Sequence, residues 1–289
     1  MGLAKKWNPE PVLSKQRPRQ DLGLKQVYPD PEIPIEDDKD VVDIVAIHGL
    51  DSQSPTAWVA WRNDGDPTSG DVHWLKDSEM LPSKIKKSRI FTYDWPAGVG
   101  LDASIAGIFD HSMAFLSSLQ VMRKETKTTR RPLIFVAACF GGLLLAKALV
   151  EACSPCSEEK YGDIVRHTVG VTFLGTPFQG TDDFLLQITL LRISAAIDAG
   201  TESSHELAKL LRHNGNRREL DELVHKFCQV KDNPKYKFPV VCFYETLQTQ
   251  FKGFLKRLPR DVVRILDSQG SATVQFHPTL RFVHSYSHA

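Results

Sequence analysis

No stretch of ~18 or more uninterrupted apolar residues occurs in the 289-residue chain, and no apolar core follows the charges at its amino terminus. Neither a membrane span nor a secretory signal core is therefore expected. Charge of one sign is also missing. With 36 basic and 35 acidic residues the formal charge is +1, so no global field points to nucleic acid or an anionic membrane. Cysteine is sparse, and the five residues, Cys139, Cys153, Cys156, Cys228 and Cys242, are odd in number and scattered. That pattern fits a reducing, cytoplasmic setting better than a disulfide framework, and such a setting is expected. No phosphate-cradling glycine loop of the Walker or GxGxxG type is present, so no nucleotide cofactor is expected. Cys153-Ser-Pro-Cys156 has the spacing of a redox or zinc pair, but without a second pair it reads as incidental helix-end thiols, and no metal is expected. There are no internal repeats and no low-complexity tracts.

What is present is an alternation. Residues 1–40 hold scattered prolines, six lysines and arginines before Val27, and the acidic run Glu36-Asp37-Asp38. Such a segment reads as a polar arm, with Leu22 to Tyr28 as one edge strand. From residue 41 to 289 short apolar, β-branched runs recur at 42–47, 89–93, 133–138, 169–174, 240–244 and 280–283. Runs this short and this apolar suit strands buried on both faces of a parallel sheet. Helical spacing fills the intervals at 103–121, 141–152 and 205–231. Segment 183–199 is apolar enough for a helix packed on the sheet or a lid. Alternating strands and helices predict a three-layer α/β sandwich with a mostly parallel central sheet.

One of these strands carries chemistry. Leu133-Ile-Phe-Val-Ala-Ala-Cys-Phe-Gly-Gly142 runs from an apolar strand through a small residue, a nucleophile-type side chain and two glycines into a helix. That is the pattern of a nucleophile elbow. The turn is so tight that residues two before and two after the nucleophile must be small, and Ala137 and Gly141 are. The helix that follows presents N–H groups and the positive end of its dipole to Cys139, which favours a thiolate or an oxyanion there. Asp43-Ile-Val-Ala-Ile-His-Gly-Leu50 is a buried strand ending in His48-Gly49, the place for a second oxyanion loop. Backbone N–H groups of Leu50 (or Asp51) and Phe140 are the expected donors. In the chain order nucleophile, acid, histidine, Glu245 at the end of Phe238-Pro-Val-Val-Cys-Phe-Tyr-Glu245 is the expected acid, with Asp267 the alternative. His288 is the expected base, with His284 the alternative; His277 precedes the last strand and fits less well. Together these predict the α/β-hydrolase fold and a Cys-His-Glu variant of its catalytic triad.

These segments, with Phe173-Leu-Gly-Thr-Pro177 and Gly180, resemble the fungal serine-esterase-like α/β-hydrolase domains related to serine-active-site-containing lipase-like proteins. The resemblance covers about residues 25–289 and rests on the combination of motifs. It departs at the elbow. The family usually has Gly-His-Ser-x-Gly-Gly where this chain has Ala137, Ala138, Cys139, Phe140, Gly141 and Gly142, and it often has His where Phe178 stands. The resemblance implies an esterase- or lipase-like hydrolase of a small-molecule or lipid-like ester. It equally implies a catalytically weak effector or self-association module, since such domains often form the amino-terminal part of fungal NOD-like receptors and repeat proteins. A larger protein, with receptor or repeat domains after this one, is the expected context.

Overall fold

The computed structural model describes residues 21–32, 40–49, 52–63, 66–97, 105–176, 178 and 217–243. The short apolar runs become strands of one sheet: β1 (Gly23–Tyr28), β2 (Val42–Ile47), β5 (Ser88–Asp94), β6 (Leu133–Ala138), β7 (Thr168–Leu174) and β8 (Val240–Phe243). Their order across the sheet is β1-β5-β2-β6-β7-β8. β1 runs antiparallel to β5, and every other neighbouring pair is parallel. β6 thus lies inside the sheet, with the cysteine-bearing turn at its carboxyl end.

Parallel strands need long crossovers, which helices supply. α2 (Ile105–Glu125) leads from β5 to β6. α3 (Phe140–Ala152) and α4 (Glu158–Arg166) lead from β6 to β7, and α5 (Arg217–Asp232) precedes β8. α3 packs against α2, α4 and α5. It is apolar apart from the Lys147–Glu151 pair, with Leu143, Leu144, Leu145 and Leu149 fully buried, as a helix largely enclosed by sheet and neighbours must be. Each such leucine contributes about 1.5–3 kcal/mol of burial.

Strand periodicity divides the core. Val45, Ile47, Phe91, Tyr93, Phe135 and Ala137 face the helices, while Ile44, Ala46, Ile90 and Val136 face the other way onto Trp58 and Leu75. Both faces are dry, which is why these strands read as continuous apolar runs. The second face also carries an antiparallel hairpin of β3 (Val59–Asn63) and β4 (Asp66–His73), followed by the short α1 (Leu81–Lys84). The sequence reading did not contain this hairpin.

One polar knot lies at the opposite end of the sheet from the cysteine. Asp43, fully buried on β2, takes a two-pronged contact from its β5 neighbour Arg89, Nε–Oδ1 2.8 Å and a second nitrogen to Oδ2 at 2.8 Å. Arg123 and Arg131 each approach the same carboxylate at 3.5 Å. Burial, with repulsion from Arg89 and Arg131, outweighs Asp43 and pushes the Arg123 guanidinium down to about 10. Two further bonds, to the carbonyls of Thr129 and Arg131 at 2.6 and 2.8 Å, hold Arg123 in place. No helix among the described residues is long and apolar enough to cross a membrane.

Candidate active site

Cys139 stands between β6 and α3 as the N-cap of the helix, with φ 50° and ψ −127°. A positive φ is unfavourable for a residue with a side chain, costing of order 1–3 kcal/mol, and it survives only where the surroundings over-determine it. Here they do. The Cys139 N–H donates to the Leu174 carbonyl at 2.8 Å, and the Gly142 N–H donates to the Cys139 carbonyl at 3.1 Å.

The small residues of the motif are explained by what crosses them. A Cβ on Gly141 would collide with the His48 carbonyl oxygen and stand 2.8 Å from that of Ile47. The helix start therefore passes directly over the end of β2. A Cβ on Gly49 would stand 2.6 Å from the Cys139 Cβ and 3.3 Å from its Sγ. The His48-Gly49 turn is thus pressed against the cysteine, where the sequence placed an oxyanion loop. Phe140 occupies the first helical position with its ring buried.

The ring of His48 is fully buried. Its Nε2 lies 3.2 Å from Asp94 Oδ1, as an ion-pair contact rather than an aligned hydrogen bond. Its Nδ1 lies 2.9 Å from the Gly49 carbonyl oxygen, and the ring stacks on Trp95 at 6.0 Å. Burial works to raise the Asp94 pKa, but the contact with His48 and the bond from the Ser54 N–H outweigh it and hold the carboxyl below its ordinary value. Sequence reasoning missed this pair. A signal existed: 89–94 is a buried strand ending in a carboxylate, the same pattern that singled out Glu245. Thr176, read from sequence as turn geometry alone, is buried against Gly142, and its hydroxyl has no hydrogen-bond partner among the described residues.

The remaining expected site residues, Leu50, Glu245 and His288, with the alternatives Asp51, Asp267, His284 and His277, lie outside the described residues, as do the apolar segment 183–199 and the strand at 280–283. Among the described residues, no group of three His, Cys, Asp or Glu side chains is placed to hold a metal. The other thiols correct one expectation. Cys153, expected from its helix-end position to behave as an ordinary thiol, is pushed up to about 11 by burial. Burial does the same to Cys242, with a contribution from Cys228. Cys156 is exposed.

A central, mostly parallel sheet in this strand order, helices on it, and a strained strand-to-helix turn bearing a nucleophile-type residue define the α/β-hydrolase fold. No protein-family model matches the chain. Over 149 residues it is 28% identical to Protein SERAC1 of Danio rerio, a match to 51% of this chain and 20% of that protein. The matched stretch is about a fifth of that relative's length. Among solved structures it is similar to Thermogutta terrifontis esterase 2, with a TM-score of 0.37 at 11% identity over 91% of this chain and 95% of that one. It is also similar to esterase B from Lactobacillus rhamnosis, with a TM-score of 0.35 at 11% identity over 89% of each chain. The NocB thioesterase domain, solved as a covalent complex with a fluorophosphonate, gives 0.35 at 10% identity over 84% of this chain and 86% of that one.

Proposed function

We propose that the chain is a thiol hydrolase of the α/β-hydrolase class, acting on an ester, thioester or amide through Cys139, His288 and Glu245. One observation carries the reading. Cys139 occupies a positive-φ turn at the start of α3 with Gly49 against it, and the fold keeps this strain at the position where such proteins hold their nucleophile. His288 takes the thiol proton as Cys139 Sγ attacks the carbonyl carbon. The tetrahedral oxyanion is met by the backbone N–H groups of Phe140 and Leu50. Collapse breaks the bond to the leaving group, which receives the proton from His288, and leaves an acyl-thioester on Cys139. Water, deprotonated by the same histidine, then releases the acid and restores the thiol. Glu245 orients the imidazole throughout.

The substrate class is a small-molecule or lipid-like ester, the setting cytoplasmic, and the protein part of a longer chain with receptor or repeat domains capable of self-association. The test is a panel of chromogenic esters of rising acyl length, turned over by wild type and by Cys139→Ala. Loss of at least about 1,000-fold in kcat/KM with Cys139→Ala is expected. Equal turnover by both proteins would remove Cys139 from the reaction.

A further inference from the structure

We infer that Asp94 and His48 are positioning residues that hold the turn leaving β2 against Cys139; the inference rests on the hydrolase reading above. Neither side chain touches the reacting atoms in that mechanism. Yet both are withdrawn from water, His48 at 0% and Asp94 at 3% exposure. A carboxylate and an imidazole buried this deeply are costly unless their bonds do something.

Their bonds converge on one turn. Asp94 Oδ1 accepts the Ser54 N–H at 2.8 Å and lies 3.2 Å from His48 Nε2. A single carboxylate oxygen therefore ties down residues on both sides of the 49–53 segment. On the other side of the ring, Nδ1 is 2.9 Å from the Gly49 carbonyl oxygen, which also receives the Ser52 hydroxyl at 3.0 Å. A carbonyl only accepts, so Nδ1 is the donor in its bond to Gly49, while Nε2 faces the Asp94 carboxylate. From behind, the Trp95 indole N–H donates to the His48 carbonyl at 2.9 Å, and its ring stacks on the imidazole.

The consequence concerns the oxyanion. Its proposed donor is the backbone N–H that follows Gly49 in the chain. Gly49 is itself packed on the Cys139 side chain, so holding its carbonyl holds the turn relative to the nucleophile. The clamp presets a donor for charge that exists only in the transition state. Its loss should therefore appear in kcat rather than in substrate binding.

The experiment uses the full chain with Asp94→Asn, which keeps size but removes charge, and His48→Gln as a second variant should the first not fold. Turnover of p-nitrophenyl butyrate, alkylation of Cys139 by iodoacetamide, and peptide-level hydrogen exchange are measured on each. We expect kcat to fall about 10- to 100-fold with KM within about twofold. Alkylation passes through no oxyanion and should stay within about twofold. Exchange should quicken in peptides spanning 48–55 and stay unchanged in those from α3. Unchanged exchange at 48–55 in a folded variant overturns the clamp, as does an unchanged kcat. Exchange that quickens across α3 as well, with alkylation altered, assigns the pair a general structural role and also overturns it. If wild type shows no turnover dependent on Cys139, the hydrolase reading fails separately, and the positioning role falls with it, while the exchange comparison still decides whether the clamp exists.

Discussion

At Gly141 the difference between glycine and any other residue is the presence of one carbon. That carbon would meet the carbonyl oxygens of His48 and Ile47, which are backbone atoms at the end of a central strand and cannot turn aside. Gly141→Val should destabilise the protein by about 3 kcal/mol or more, read as a shift in the denaturation midpoint at unchanged m-value, or as failure to fold. The thiols make a second prediction at this scale. Cys153 and Cys242, both held near 11 by burial, have almost no thiolate at pH 8, so iodoacetamide should label them far more slowly than exposed Cys156. Their rates should climb until the pH passes about 11, which per-residue mass spectrometry can follow. The elbow was legible in the sequence because its demand is steric and local: small residues at fixed offsets from one cysteine. The His48–Asp94 contact was not, because it joins residues 46 apart whose adjacency is set by the parallel register of β2 and β5.

Between elements, the Asp43 knot joins β2, β5, the end of α2 and the loop before β6. Removing its one negative charge would leave the buried guanidiniums of Arg89, Arg123 and Arg131 facing one another. Asp43→Asn should therefore cost about 3–5 kcal/mol, measured by chemical denaturation, though it lies at the far end of the sheet from Cys139. Double substitution with an apolar residue in place of Arg89 should recover part of that loss. The strands at 42–47, 88–94 and 133–138 could be read from the sequence because burial on both faces writes them as apolar runs, and those at 168–174 and 240–243 because they keep such runs although Val169, Val241 and Phe243 are exposed. The β3–β4 hairpin could not. It is two-stranded, most of β3 is exposed, and Trp61 is half in solvent, so neither strand carries an apolar run.

For the molecule as a whole, pH sets a limit at the acid end. The Asp94 carboxyl is held below its ordinary value of 3.8, so its contribution to stability is in full above about pH 4 and is lost as pH falls through the lower folded value. The Tm of Asp94→Asn should accordingly be nearer to wild type below pH 4 than at pH 7, as scanning calorimetry across that range can show. The central claim is that Cys139 forms a covalent bond to acyl groups. The most direct measurement is intact-protein and peptide mass spectrometry after brief mixing with a p-nitrophenyl ester and acid quench. An added acyl mass on the peptide that contains Cys139, discharged on longer incubation and absent from Cys139→Ala, is the predicted result. No acyl mass on that peptide, or the same mass in Cys139→Ala, contradicts it and leaves the fold as an interaction module.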